Sequence, residues 1–185
     1  MTIDSKGHDA TSRARSIRLL GLDIDGTLTD GRIVIGARGE VAKFFSVHDG
    51  QGLRLLMDSG IQVALITARE SKIVRTRARE LGIRHALQGV KDKATALADL
   101  TSQLGFEPQQ TAFMGDDLPD LPAMRRAGLA ACVNNAAPEL KAFAHWQSHC
   151  DGGHGAVREF CEFLLKSQGL WASAIARFTG QPDSA

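Results

Sequence analysis

The chain has 185 residues, with 22 Lys and Arg against 21 Asp and Glu, for a formal charge of +1. That balance leaves no basic footprint for nucleic acid and no attraction to an anionic membrane surface. With 43 % hydrophobic and 23 % charged residues, the composition excludes a disordered chain, and the length fits one domain with a real core.

Taken in chain order, residues 1–16 are polar and read as a flexible tail. They lack the apolar stretch of a secretory signal, and no apolar run further on is long enough to span a bilayer, so a cytoplasmic protein is expected. Ile17 to Asp23 is a short apolar run that ends in acids, the pattern of a buried strand. Ile33 to Phe45 is β-rich with a Gly-Ala-Arg-Gly turn, which predicts a hairpin. Asp49 can N-cap a helix through Leu53, Leu55, Leu56 and Met57 that stops at Gly60. Ile61 to Ile66 is a second buried strand. An Arg-rich helix follows from Glu70 to Leu81, stopped by Gly82, and another from Lys91 to Leu104, stopped by Gly105. Thr111 to Met114 reads as a strand, Leu121 to Ala127 as a short helix, Leu129 to Val133 as a strand, and Pro138 can open a further helix. Residues 171–185 read as a second tail, which leaves a single domain over 17–170. Strands alternating with helices imply an α/β fold around a parallel sheet, with ligands outside the carboxyl ends of the strands.

Four features fall at those ends: Asp23-Ile24-Asp25-Gly26-Thr27, then Thr67, then Lys93, then Gly115-Asp116-Asp117 with Asp120 one turn on. Converging carboxylates resist joint ionisation, and a divalent cation relieves them. An all-oxygen set points to Mg²⁺, and a nearby lysine suits a phosphate dianion. A carboxylate can attack phosphorus once that repulsion is screened, and a second carboxylate two residues away can protonate the leaving oxygen. A turn rich in Asp and Gly is the bland alternative. It does not account for the whole set in this order.

These residues resemble the motifs of the haloacid dehalogenase superfamily of phosphohydrolases, over most of residues 17–168. The resemblance implies a three-layer, Rossmann-like fold with a parallel central sheet. It makes Asp23 the nucleophile and Asp25 the general acid/base, with the Asp25 backbone carbonyl also meeting Mg²⁺. Thr67 and Lys93 become the phosphate-binding hydroxyl and ammonium, Asp116 a metal ligand, and Asp117 and Asp120 supporting acids. Asp23, Asp25 and Asp116 are thus the implied metal set. The stretch between Asp30 and Thr67 already holds the hairpin and a helix, and is shorter than the roughly 50 residues of a separate domain. The enzyme is therefore expected to be capless, with the hairpin as a flap.

Further segments, Leu22 to Gly31, Val47-His48-Asp49-Gly50 followed by Arg54, and Gly152-Gly153-His154-Gly155-Ala156-Val157-Arg158-Glu159, resemble one capless family, the 3-deoxy-D-manno-octulosonate 8-phosphate phosphatases of lipopolysaccharide biosynthesis. This resemblance implies a homotetramer acting on a phosphosugar acid. It assigns substrate binding to His48, Asp49, Gly50, Arg54, Arg69, Arg77 and Lys93, and brings Gly152, Gly153, His154 and Gly155 to a neighbouring subunit's site. The chain departs from the family pattern at Ala68, His48 and His154. Two permanent cations have become histidines, so recognition of the sugar carboxylate is expected to be weaker or pH-dependent. A nine-carbon sialic-acid-type phosphate is the alternative substrate. A phospho-accepting receiver module is the alternative of another class, although D-x-D-G on one turn favours turnover over a lasting phosphoryl group. His145 and His149 at i, i+4 could chelate zinc on a helix, but Gly152-Gly153 breaks a helix there. Trp146 is expected in the core or an interface. Cys132, Cys150 and Cys161, odd in number and without C-x-x-C, are expected to be reduced, with Cys132 a small buried hydrophobe.

Overall fold

A computed structural model describes residues 5–180. The elements are α1 (Ser5–Ala14), β1 (Leu19–Leu22), β2 (Val34–Gly36), β3 (Gly39–Ala42), α2 (Val47–Asp58), β4 (Gln62–Ile66), α3 (Lys72–Leu81), β5 (His85–Leu87), α4 (Lys93–Gln103), β6 (Thr111–Gly115), α5 (Leu121–Arg126), β7 (Leu129–Cys132), α6 (Pro138–Phe143), β8 (Trp146–Gln147), α7 (Ala156–Ser167) and α8 (Trp171–Thr179). Short 3₁₀ turns lie at Pro108–Gln110 and Leu118–Asp120.

Six strands form one parallel sheet in the order β5-β4-β1-β6-β7-β8. β1 and β6 are buried along their whole length, as a sheet covered on both faces requires. The chain runs outward from β1 through β4 to β5, then restarts at β6 on the other side of β1. That reversal opens a crevice at the carboxyl ends of β1 and β6. Gly21 on β1 has a reason in packing: a Cβ there would lie 2.8 Å from the Phe113 ring of β6. β2 and β3 pair only with each other, in an antiparallel hairpin.

The helices on one face are joined through α2 and α7. Gly52 lets them approach, since its Cβ would lie 3.0 Å from the Arg158 Cα. Trp146 meets Phe160 at a tilt and stacks with Phe163, at centroid distances of 4.8 and 5.5 Å, as expected of a core aromatic. Cys132 is fully buried.

The structure corrects several local expectations. Residues 1–16 are not all tail: α1 occupies Ser5–Ala14, and Ala10 and Ala14, one helical turn apart, are buried in the core. Arg13 ties this helix down by donating to the Gly128 carbonyl at 2.7 Å. The second tail also begins as a helix, α8, whose Trp171 lies under Arg158 and Lys166 at 5.7 and 5.0 Å. Helix α1 holds mostly small or polar residues and shows no apolar stripe in sequence, whereas α8 does carry one in Trp171, Ala174, Ile175 and Phe178, at helical spacing. Residues 1–4 and 181–185 lie outside the described residues. Helix α2 is capped by Ser46, whose hydroxyl accepts from the Asp49 N–H at 3.3 Å, not by Asp49. His145 and His149 flank β8 and share no helix.

Candidate active site

The site starts from the alternation of a strand end. Ile24 is fully buried in the core, so Asp23 and Asp25 on either side of it both turn to the crevice. Register brings the remaining parts alongside. Leu22 pairs with Leu65 and Met114, so Thr67 and Asp116 emerge just beyond the two strands that flank β1. The Asp23 N–H donates to the Met114 carbonyl at 3.0 Å.

Gly26 is required by space and conformation. Its φ is +105°, and a Cβ would lie 2.1 Å from the Asp116 carboxylate. The bare backbone lets Asp116 reach over the loop, where Thr27 Oγ1 donates to Asp116 Oδ1 at 2.9 Å. Thr29, also fully buried, braces the same turn: its hydroxyl accepts from Gly26 and Gly31 N–H and donates to the Ile24 carbonyl.

Lys93 leaves the first turn of α4, which Asp92 caps, and enters the crevice. Its ammonium donates to Asp23 Oδ1 at 2.5 Å and to Asp120 Oδ1 at 2.6 Å. Burial alone would lower its pKa, but Asp23 and Asp120 together hold it above the ordinary lysine value. Lys91, the other lysine of this stretch, is exposed. Asp120 is fully engaged: its second oxygen accepts from the Asp116 and Asp117 N–H groups. Thr67 is buried, and its hydroxyl accepts from the Arg69 N–H at 3.3 Å.

Burial raises the Asp23 pKa well above the ordinary range, with Asp120 adding to the rise. Burial and Asp120 likewise push Asp116 up to about 6. Oxygens of Asp23, Asp116 and Asp120 lie within 4.8 Å of one another, and this is the single such trio among the described residues. Crowded carboxylates, two of them (Asp23 and Asp116) with raised pKa values, all oxygen and no nitrogen or sulfur, fit a hard divalent cation. The third acid in the cluster is Asp120, a supporting acid in the sequence reading, which gave Asp25 to the metal through its backbone carbonyl. The Asp25 side chain turns instead to Lys43, whose ammonium donates to Asp25 Oδ1.

Other sequence-predicted residues lie elsewhere. Asp117 is exposed and caps the short turn after it. Asp49 is fully buried, and its two carboxylate oxygens accept from the Gly155 and Arg158 N–H groups at 3.3 and 2.8 Å. It therefore caps the start of α7 and presents nothing to a substrate. Gly50 makes room for Arg77, whose guanidinium would lie 2.6 Å from a Cβ there. Arg77 donates to the Ser46 carbonyl, pairs with Glu80 at 3.0 Å and lies over Phe45. Arg54 donates to the Glu80 carbonyl. These two arginines share a small cleft of about 90 Å³ along α2 and α3. Arg69 alone of the three stands at the crevice, half exposed, 3.8 Å from Asp25 and 3.9 Å from Glu40. His48 and His154 are both exposed, and the His154 ring meets the Gly152 carbonyl at 2.9 Å.

The glycine-rich segment also has an unforeseen place. Gly152 and Gly153 rest on the nucleophile loop of their own chain. A Cβ on Gly152 would lie 1.7 Å from the Gly26 carbonyl oxygen, and one on Gly153 2.4 Å from the Asp30 nitrogen. The Gly153 N–H donates to the Thr27 carbonyl at 3.1 Å. Within one chain, then, this segment is the back wall of the site, and these contacts account for Gly152 and Gly153.

Sequence reasoning missed Lys43 and Glu40. Both come from the hairpin, where alternation sends Glu40 inward and Val41 outward. Nothing in the local sequence marks this glutamate and lysine as internal.

Residues 87–159 match the family model of haloacid dehalogenase-like hydrolases. The 3-deoxy-D-manno-octulosonate 8-phosphate phosphatase of Salmonella typhi is 46 % identical over 158 residues, covering 85 % of this chain and 84 % of the relative. The crystal structure of the same phosphatase from Yersinia pestis superposes with a TM-score of 0.86 at 45 % identity, over 88 % of both chains. That of the Moraxella catarrhalis phosphatase, in complex with magnesium, phosphate and a KDO molecule, superposes with a TM-score of 0.89 at 45 % identity, over 92 % of this chain and 98 % of that one.

Proposed function

Because the chain belongs to the 3-deoxy-D-manno-octulosonate 8-phosphate phosphatases among the haloacid dehalogenase-like hydrolases, we propose that it hydrolyses the 8-phosphate of that eight-carbon sugar acid through an aspartyl phosphate. The observation that carries the reading is the buried Asp23–Lys93–Asp120 cluster with Asp116 and Asp25 at its rim. Asp23 attacks phosphorus while Asp25 gives its proton to the departing sugar oxygen. Asp25 then takes a proton from the water that releases phosphate. Lys93 and Thr67 hold the charge on the phosphoryl oxygens. Asp120 keeps Lys93 and the Asp116 backbone in place. Mg²⁺, held by Asp23, Asp116 and the Asp25 backbone carbonyl, would screen the nucleophile from the phosphate and stabilise transition-state charge.

Arg69, at the mouth of the crevice, suits the substrate carboxylate. Arg54 and Arg77 point away from their own crevice and would serve a neighbouring copy in a homotetramer. The exposed apolar residues Ile35, Val41, Phe44 and Val47 on and after the hairpin support such an assembly. A tetramer in sedimentation that Val41→Asp breaks would support this; a fully active wild-type monomer would overturn it. The pathway is lipopolysaccharide synthesis and the compartment the cytoplasm. In keeping with that, no helix among the described residues is long and apolar enough to cross a membrane.

The deciding experiment is phosphate release from a panel of phosphosugar acids, with Mg²⁺ and with excess chelator. Chelator-sensitive turnover of the eight-carbon acid, well above simple hexose phosphates, is the expected result. Preference for a nine-carbon acid would leave the mechanism and replace the substrate. A stable phosphoprotein without turnover would overturn both.

A further inference from the structure

Two lysines enter the crevice, and the proposed mechanism uses only one. Lys93 holds the nucleophile. Lys43 comes from the opposite side, at the end of β3, and its side chain is completely buried. A buried ammonium is costly unless fully paired. Its partners are the Asp25 carboxylate and, at 3.3 Å, Glu40 Oε2. Glu40 is in turn held by the Ser71 hydroxyl at the N-cap of α3. Although burial would raise its pKa, the hydrogen bonds from Ser71 and Lys43, with the charges of Lys43 and Arg69, hold it below the ordinary range. Arg69 closes the ring from outside, within 4 Å of both carboxylates.

The hairpin has little else to hold it. β2 and β3 make no pairing with the main sheet, and β2 is exposed throughout. An isolated two-stranded hairpin is marginal in water. Beyond one bridge between Thr29 and Phe45, its inward anchor is this charge network, which ends on Asp25. The hairpin and Asp25 therefore hold each other.

We propose that Lys43, seated by Glu40, is a positioning residue for the general acid: it fixes the Asp25 carboxyl group in line with the leaving oxygen and makes that alignment depend on the hairpin. The proposal rests on the reading of Asp25 as general acid. In that step the Asp23–phosphorus bond forms and the bond from phosphorus to the sugar oxygen breaks. The electron pair stays on that oxygen, and the proton that Asp25 carries on its other oxygen goes to it, while Oδ1 accepts from Lys43 and Glu40 balances the ammonium. Lys43 transfers nothing; it acts through Asp25.

Leaving-group dependence in a single turnover tests this. An alkyl leaving group such as the sugar needs the proton, whereas p-nitrophenolate leaves as an anion. Lys43→Met should slow phosphoenzyme formation from the sugar phosphate by about 10²-fold, with KM little changed. The p-nitrophenolate burst should fall only a few-fold, and Lys43→Arg should recover much of the loss. Equal losses for both substrates would make Lys43 merely structural and overturn the proposal. Asp25→Asn separates the two layers. If it discriminates between the substrates and Lys43→Met does not, the inference fails while the mechanism stands. If Asp25→Asn itself does not discriminate, the general-acid assignment fails. Should Lys43→Met not fold, Glu40→Gln keeps the lysine and loosens its seat. It should show the same selectivity at smaller size, and no selectivity there would overturn the proposal.

Discussion

The loop that carries Asp23 and Asp25 meets charge on one side and bare backbone on the other. At the front, Lys93, Asp116, Asp120 and Lys43 surround it, and Asp23 and Asp116 sit with raised pKa values in a space that suits a cation. At the back, Gly152 and Gly153 press against Gly26, Thr29 and Asp30 with no side chain between them. Asp49, behind that segment, fixes the first turn of α7. The front stores electrostatic tension for chemistry and the back supplies shape. A substitution at the front should therefore cost rate without much stability, and one at the back should cost stability first.

The sharpest break of that contrast is Asp23→Asn. Turnover should fall by roughly 10⁴-fold or more, as for loss of other catalytic nucleophiles. The melting temperature should hold or rise, because a buried charge among like charges is removed. Substantial residual kcat would sink the nucleophile assignment. Gly152→Ala is the counterpart at the back. Its methyl would overlap the Gly26 carbonyl, and backbone cannot swing aside, so a destabilisation of about 3 kcal/mol is expected. A melting scan would show this as a drop of roughly 10 °C, and an unchanged Tm would show that the two loops part easily.

Asp49→Ala follows, with a loss of about 1–2 kcal/mol from two uncapped N–H groups and a normal KM. A large rise in KM at unchanged stability would return Asp49 to the substrate. The smallest effect is in the response to metal. Asp116 has a folded pKa of about 6, above its ordinary value of 3.8. The folded state therefore binds more protons than the unfolded one. Metal-free stability is greatest at low pH in this window and is lost as pH rises through about 6. Mg²⁺ should accordingly raise Tm more at about pH 7.5 than at about pH 5. An equal rise at both would detach the carboxylate cluster from metal binding.

Much of the front was legible in the sequence. Asp23, Asp25, Thr67, Asp116 and Asp120 follow apolar runs with plain strand character, Lys93 opens a helix, and register in a parallel sheet carries such positions to one end. Asp120, expected as a supporting acid, also joins Asp23 and Asp116 in the carboxylate trio. The back was not legible. Asp49 looked like a cap for its own helix, yet it caps one more than a hundred residues later. The contact of Gly152 and Gly153 with the nucleophile loop of their own chain is likewise unmarked in the sequence. Helix α1 escapes notice in the sequence because docking of small residues, not an apolar stripe, holds it, whereas α8 carries Trp171, Ala174, Ile175 and Phe178 at helical spacing.

The sequence by itself determined the alternation of strands and helices between Ile17 and Val133, the α/β class and the cluster of acids with Lys93. Periodicity and turn chemistry are local, and the motif residues sit at strand ends that any parallel sheet gathers. Only the tertiary structure decided that Lys43 and Glu40 belong to the site, that Asp25 faces a buried ammonium, and that two glycines form the wall behind the nucleophile. Those outcomes depend on how closely separate segments approach and on which charges must be buried together, and neither quantity is written into neighbouring residues.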